Sequence, residues 1–174
     1  MIKTAKPAPP NNSFPLFKLP VPLNEQERSY LGLSGSGQFR VGHIKPGIVI
    51  IEVFSFYCPF CQQAAPGVEQ VYRKIEARPD LKARVTMIGI GMGDGAYEVR
   101  TFKEKFRVPF PLFSDEDMGI ARLLKVKGTP TFIGVKVDGK GSEEIFYFEA
   151  GAFDSPARFL ADIIEASDLK GGQK

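Results

Sequence analysis

Two kinds of hydrophobic pattern alternate along this chain. Ile48 to Phe56 is a nearly unbroken run of apolar and β-branched residues, the composition of a strand covered on both faces of a sheet. Val85 to Ile90 predicts a second buried strand. Between them the spacing turns helical: Val68, Val71, Tyr72 and Ile75 share one face, Glu69 and Arg73 stand four apart, and the ARPDL segment ends the helix near Ala77. Val99, Phe102 and Phe106 predict a further helix, Phe110 to Phe113 a short strand, and Ser114 with Asp115 the cap of a helix carrying Ile120, Leu123 and Leu124. TFIGVKV and EEIFYFEAG flank a DGKG turn and read as a hairpin. The last helix opens at Ser155-Pro156, turns Phe159, Leu160, Ile163 and Ile164 inward and stops before Lys170-Gly171. This alternation predicts an α/β domain with a central mixed sheet flanked by helices.

The ends read differently. Met1 to Ser13 is polar and proline-rich, so residues 1–13 are expected to be a flexible tail, residues 14–169 the folded domain, and residues 170–174 a frayed end. Phe14 to Leu23 mixes apolar residues with prolines, as an edge segment does. The tail lacks the apolar centre of a signal peptide.

Composition narrows the classes. At 174 residues, 43% hydrophobic and 25% charged, the chain suits one globular domain with a sizeable core. The net charge of +3 comes from basic residues dispersed among acids. That pattern gives no reason to expect nucleic acid as a partner. On the helix carrying Val99, Phe102 and Phe106, Arg100, Lys103, Lys105 and Arg107 alternate with Glu98 and Glu104, which reads as a solvated face. No apolar stretch approaches the length of a membrane span.

The chemistry concentrates where the first buried strand ends. The only two cysteines, Cys58 and Cys61, follow that strand and enclose Pro59 and Phe60. Helical spacing begins just after them, and a first-turn proline is tolerated because its missing N–H would be unpaired anyway. Cys58 therefore sits at a helix N-terminus, where backbone N–H groups and the macrodipole favour a thiolate. Cys61, one turn further in, is placed to attack a mixed disulfide on Cys58. The bland readings are half a zinc site, for which the one histidine, His43, is a poor complement, and two inert core thiols. His43 itself reads as a surface turn residue. A competing motif, Gly91, Gly93 and Ala96 in GxGxxA order, lies between a strand and a helix, but no ribose-binding acid follows in place, and its other reading is a flexible rim.

The CPFC segment resembles the active site of thioredoxin-fold thiol–disulfide oxidoreductases. Four further features agree: Glu52 six residues before Cys58, where a buried acid is common; Pro66 eight after it, where a helix-kinking proline stands; Thr129-Pro130 in GTPTF, like the cis-proline loop facing the cysteines; and the closing hairpin with its last helix. The 69 positions from Cys61 to Pro130 leave room for a strand-helix insert and resemble the TlpA and ResA group. Tyr57 stands where a tryptophan often precedes the first cysteine, and the Pro-Phe spacer matches neither reducing thioredoxins nor strong oxidants. The resemblance implies a thioredoxin-like fold and an enzyme exchanging thiols and disulfides on protein substrates, as a reductase, with no cofactor beyond a redox-active Cys58–Cys61 disulfide.

On that resemblance Cys58 attacks, Cys61 resolves and Glu52, its pKa raised by burial, moves the Cys61 proton. Tyr57, Pro59, Phe60, Thr129 and Pro130 form the substrate-binding surface, with Phe56 on the same rim. A redox partner, membrane-bound if the domain is exported, and a monomeric state complete the expectation, with a periplasmic or otherwise exported location set against a cytoplasmic one. The alternatives are a thiol peroxidase, for which Ser55 is in place but Ile51 stands where a proline is needed, a copper carrier, and a non-catalytic interaction domain.

Overall fold

The computed structural model describes residues 12–169. In chain order the elements are β1 (Leu19–Pro20), α1 (Glu25–Leu31), β2 (Gln38–Phe39), a 3-10 turn (Val41–His43), β3 (Gly47–Phe54), α2 (Pro59–Glu76), α3 (Pro79–Lys82), β4 (Val85–Met92), α4 (Ala96–Lys105), β5 (Leu112–Asp115), α5 (Gly119–Leu123), β6 (Thr131–Val137), β7 (Glu143–Ala150) and α6 (Pro156–Ala166). Five strands form one mixed sheet in the order β5-β4-β3-β6-β7. β3 runs parallel to β4 and antiparallel to β6, so it holds the centre, as its continuous apolar sequence requires. The thioredoxin-like α/β architecture predicted from the sequence is the one observed, with β4, α4, β5 and α5 inserted between the cysteine helix and the Thr129-Pro130 peptide, which is cis.

Alternation along β3 divides the core. Ile48 and Ile50 point to the side of α2 and α6, where they meet Val68, Val71, Ile75, Phe159, Leu160 and Ile163. Phe54, on that same face, packs with Cys61, Ala65, Val99 and Phe102. Val49, Ile51 and Val53 point to the opposite side and are covered by the N-terminal segment, with Phe14, Leu19, Val21 and Leu31, and by Ala121 of α5 and Leu124 at its end. Glu52 is thus placed by its register on the helix-covered face between Ile50 and Phe54, beside Ala65 and Val68 of α2.

Phe14 to Leu23 lies against the domain as an edge segment, with β1 pairing β2 in a separate two-stranded ribbon over one face. Several boundaries differ from expectation. Of the expected tail, Met1 to Asn11 lies outside the described residues, as do residues 170–174. Ser13 bridges Glu144, and the Asn12 carbonyl accepts from Ile145 N at 3.0 Å, so pairing with β7 starts before Phe14. Asp115 does serve α5, its carboxylate accepting from Ile120 N and Ala121 N at 2.9 and 2.8 Å, but it does so from the end of β5, and Leu123 is exposed rather than buried. Lys103 is no freely solvated cation: it reaches the Phe110 carbonyl at 2.5 Å and Glu27 at 3.0 Å, tying α4 to α1.

Helix α1 also closes a gap in the sheet. β5 pairs with β4 only from Gly89 to Met92, which leaves Met87 N–H without a ladder partner on that side. The half-buried Tyr30 hydroxyl accepts from it at 2.8 Å. Replacing Tyr30 by Phe strands that amide and is expected to lower stability by about 1–3 kcal/mol in chemical denaturation; an unchanged unfolding midpoint would mean water takes over the bond.

Candidate functional site

Strand β3 ends at Phe54, and within four residues the chain turns into α2. Cys58 is the N-cap residue of that helix, in extended backbone conformation, and Pro59 occupies its first position. The turn is tied from both sides: Cys58 N donates to the Ser55 carbonyl at 3.1 Å, and Gln62 Nε2 donates to the Phe56 carbonyl at 2.8 Å. Pro66 lies inside the same helix. Both cysteines are free thiols here; Cys58 is partly exposed and Cys61 fully buried.

The two sulfurs are electrostatically unlike. Partial burial alone would push the Cys58 thiol up. Hydrogen bonds from the Thr129 side chain, from Cys61 and from the Phe60 backbone outweigh it, leaving Cys58 below the ordinary cysteine value. For Cys61 burial dominates: its pKa is pushed up to about 12, against partial relief from the Thr129 side chain and the Ser55 backbone. Cys58 is therefore the more readily ionised sulfur, and Cys61 the one that favours its protonated form.

Each predicted site residue has a definite place. The Cys58 thiol donates to the Thr129 carbonyl at 3.4 Å, so the cis-proline loop does face the cysteines. Pro130 is buried and its carbonyl accepts from Gly151 N at 2.8 Å, which leaves Thr129 as the part of that loop open to a substrate. Tyr57 and Phe60 project outward, 68% and 65% exposed, and Pro59 is exposed beside them. Tyr57 is steadied by its hydroxyl donating to Glu98 at 3.3 Å and by edge-on contact with Phe56. Glu52 is 2% exposed, and burial raises its pKa to about 8. Its Oε1 has no hydrogen-bond partner among the described residues. Glu52 also lines a cavity of about 10 Å³ with Ala65, Val68, Phe102 and Phe110, close to the space one water molecule takes. His43 is an exposed turn residue whose Nδ1 accepts from Arg40 N at 3.3 Å. Among the described residues no group of three or more His, Cys, Asp and Glu side chains could hold a metal ion, and no helix is long and apolar enough to cross a membrane.

One residue of the site escaped the sequence reading. The loop expected to be a flexible rim holds Asp94, which is fully buried. Its carboxylate accepts from Phe56 N at 2.7 Å and from the Ser55 hydroxyl at 3.2 Å. The GxGxxA pattern has a structural cause. A Cβ at Gly91 would come within 3.0 Å of Asp94 Oδ2, and Gly93 takes a left-handed φ of 74° in the turn that delivers the carboxylate. The glycine pattern was the visible signal; what it made room for was not.

The chain belongs to the AhpC/TSA family, whose model matches residues 10–148. Among curated proteins, none matches in sequence. Similar solved structures include a Chlorobium tepidum protein assigned as the thiol:disulfide interchange protein DsbE, 16% identical with a TM-score of 0.67 over 93% of this chain and 98% of the other. A thiol-disulfide isomerase from Corynebacterium glutamicum is 20% identical with a TM-score of 0.59, covering 91% and 98%. A secreted Mycobacterium tuberculosis disulfide oxidoreductase is 21% identical with a TM-score of 0.57, covering 75% and 90%. These likenesses show the thioredoxin-like fold.

Two outcomes follow from the electrostatics. One equivalent of iodoacetamide near pH 7 is expected to label Cys58 and spare Cys61, as read by peptide mass spectrometry. Folded Glu52 keeps its proton to about pH 8, whereas the ordinary value is 4.5, so folding takes up a proton across that window. The stability of the reduced protein should fall as pH rises through it, by about 5 kcal/mol at most, and level off above. Glu52→Gln should flatten the profile in denaturant titrations; a wild-type profile already flat would refute the buried-acid account.

Proposed function

We propose that this protein is a thiol:disulfide oxidoreductase acting on protein disulfides, working as a reductase through the Cys58–Cys61 pair. The observation carrying this reading is the unequal pair itself: a lowered, partly exposed Cys58 thiol at the start of α2, faced by Thr129, with Cys61 buried behind it at about 12. Cys58 thiolate attacks one sulfur of the substrate disulfide, and the other sulfur leaves as a thiolate that takes a proton. Cys61 then gives up its proton, and its thiolate attacks Cys58 Sγ and expels the second substrate sulfur. The net result is two substrate thiols and a Cys58–Cys61 disulfide, a transfer of two electrons. Glu52 is the proton acceptor for Cys61, directly or through a water in its cavity, because its pKa of about 8 lets it both take and return a proton near neutrality.

Tyr57, Pro59, Phe60 and Thr129 form the surface that meets the substrate, with Pro130 shaping the loop from beneath. The redox cycle needs no cofactor beyond the disulfide, and a dithiol partner restores the reduced form. We place the protein outside the cytoplasm, with that partner at the membrane; the secreted relative among the similar structures supports this. No geometry favours the peroxidase alternative. The Ser55 hydroxyl that would assist a peroxide is engaged by Asp94, and Ile51 occupies the place of the proline such sites require.

Cys61→Ser should trap a mixed disulfide between Cys58 and a substrate protein, isolable by non-reducing electrophoresis, while Cys58→Ser should abolish disulfide reduction. A reduction potential near the thioredoxin value, roughly −270 mV, fits the reductase direction; one near the DsbA value, roughly −120 mV, would reverse it. Peroxide consumption by the wild type without disulfide reduction would overturn the reading.

A further inference from the structure

We propose that Asp94 is the positioning residue of the dithiol, its carboxylate fixing the Ser55–Phe56 backbone that sets the geometry of both sulfurs. The inference rests on the thiol–disulfide reading of the site. Asp94 touches neither sulfur. It grips the short link between β3 and α2 at two points, Phe56 N–H at 2.7 Å and Ser55 Oγ at 3.2 Å. Ser55 in turn serves both cysteines. Its carbonyl accepts from Cys58 N at 3.1 Å, and its backbone partly relieves the burial that raises the Cys61 thiol. Fixing Ser55 therefore holds Cys58 at the N-cap, where its sulfur gains from the Phe60 and Cys61 amides, and keeps that relief at Cys61.

The surroundings of Asp94 are built for this task. The parallel register pairs Phe54 with Gly91, so the chain leaving β3 and the chain leaving β4 emerge side by side. Gly91 has no side chain to exclude the carboxylate, and Asp94 N donates to the Gly91 carbonyl at 3.2 Å, closing the turn. The Asp115 carbonyl accepts from Gly93 N at 2.9 Å and anchors the loop to β5. A buried carboxylate costs free energy, and here it is offset by hydrogen bonds aimed only at the active-site link.

The test uses the pH profile of Cys58 alkylation by iodoacetamide in the full chain. Asp94→Ala should shift the midpoint upward and slow labelling about tenfold at pH 7, the effect of moving a thiol pKa by one. Asp94→Asn keeps an acceptor for Phe56 N–H and can donate to Ser55 Oγ, so its profile should stay within about twofold of wild type. Ser55→Ala loses one of the two grips and should fall between. An Ala variant that unfolds cooperatively yet keeps the wild-type profile overturns the proposal, as does an Asn variant as slow as the Ala variant. If the Ala variant does not fold, an unshifted Ser55→Ala profile overturns it instead. A lowered midpoint that moves with Asp94 in a protein unable to reduce disulfides would uphold the positioning role and sink the exchange reading. A wild-type Cys58 that titrates like an ordinary cysteine would sink both.

Discussion

At the end of β3 the chain leaves a sheet covered on both faces and enters an 18-residue helix within four residues. That junction is the constraint on which the rest of the molecule depends. The strand cannot move, because it is paired on both sides and packed above and below, and α2 cannot rotate, because Val68, Val71 and Ile75 are buried against the strand's own face. The turn between two immobile elements therefore has little freedom, and Cys58 inherits that rigidity. A thiolate at a helix N-terminus is stabilised by amide groups already pointing at it, so no reorganisation is needed when it ionises.

The same packing makes the second sulfur different. One helical turn places Cys61 on the inward side of α2 against Phe54, Ala65, Val99 and Phe102. Burial there disfavours the thiolate, and burial of Glu52 on the same face disfavours the carboxylate. Two groups that both favour their neutral forms therefore lie in one apolar layer behind Cys58. The asymmetry needs no cofactor: it follows from one cysteine lying at the lip of the core and the other inside it.

The N-terminal third does quieter work. β1, β2 and α1 cover the face of the sheet away from α2, and Tyr30 satisfies a backbone amide that the short β5 leaves open. Lys103 and Glu27 tie that third to α4 across the same edge. The loop between β4 and α4 is tied to the link after β3 by the Asp94 carboxylate.

Much of this was legible in the sequence because it is local. A continuous apolar run, a CxxC pair with proline between, helical spacing after it, and a distant Thr-Pro before a hairpin each report on residues near one another in the chain. They determined the fold class, the more exposed, helix-capping cysteine and the faces of α2 and α6. What the sequence could not supply was the result of register between distant strands. Phe56 and Asp94 lie 38 positions apart and meet only because β3 and β4 run parallel with Phe54 opposite Gly91. For the same reason the glycine-rich turn read as a rim or a nucleotide motif. Periodicity tells which side of an element is apolar; only the pairing of strands decides which elements share that side, and which carboxylate ends up against which amide.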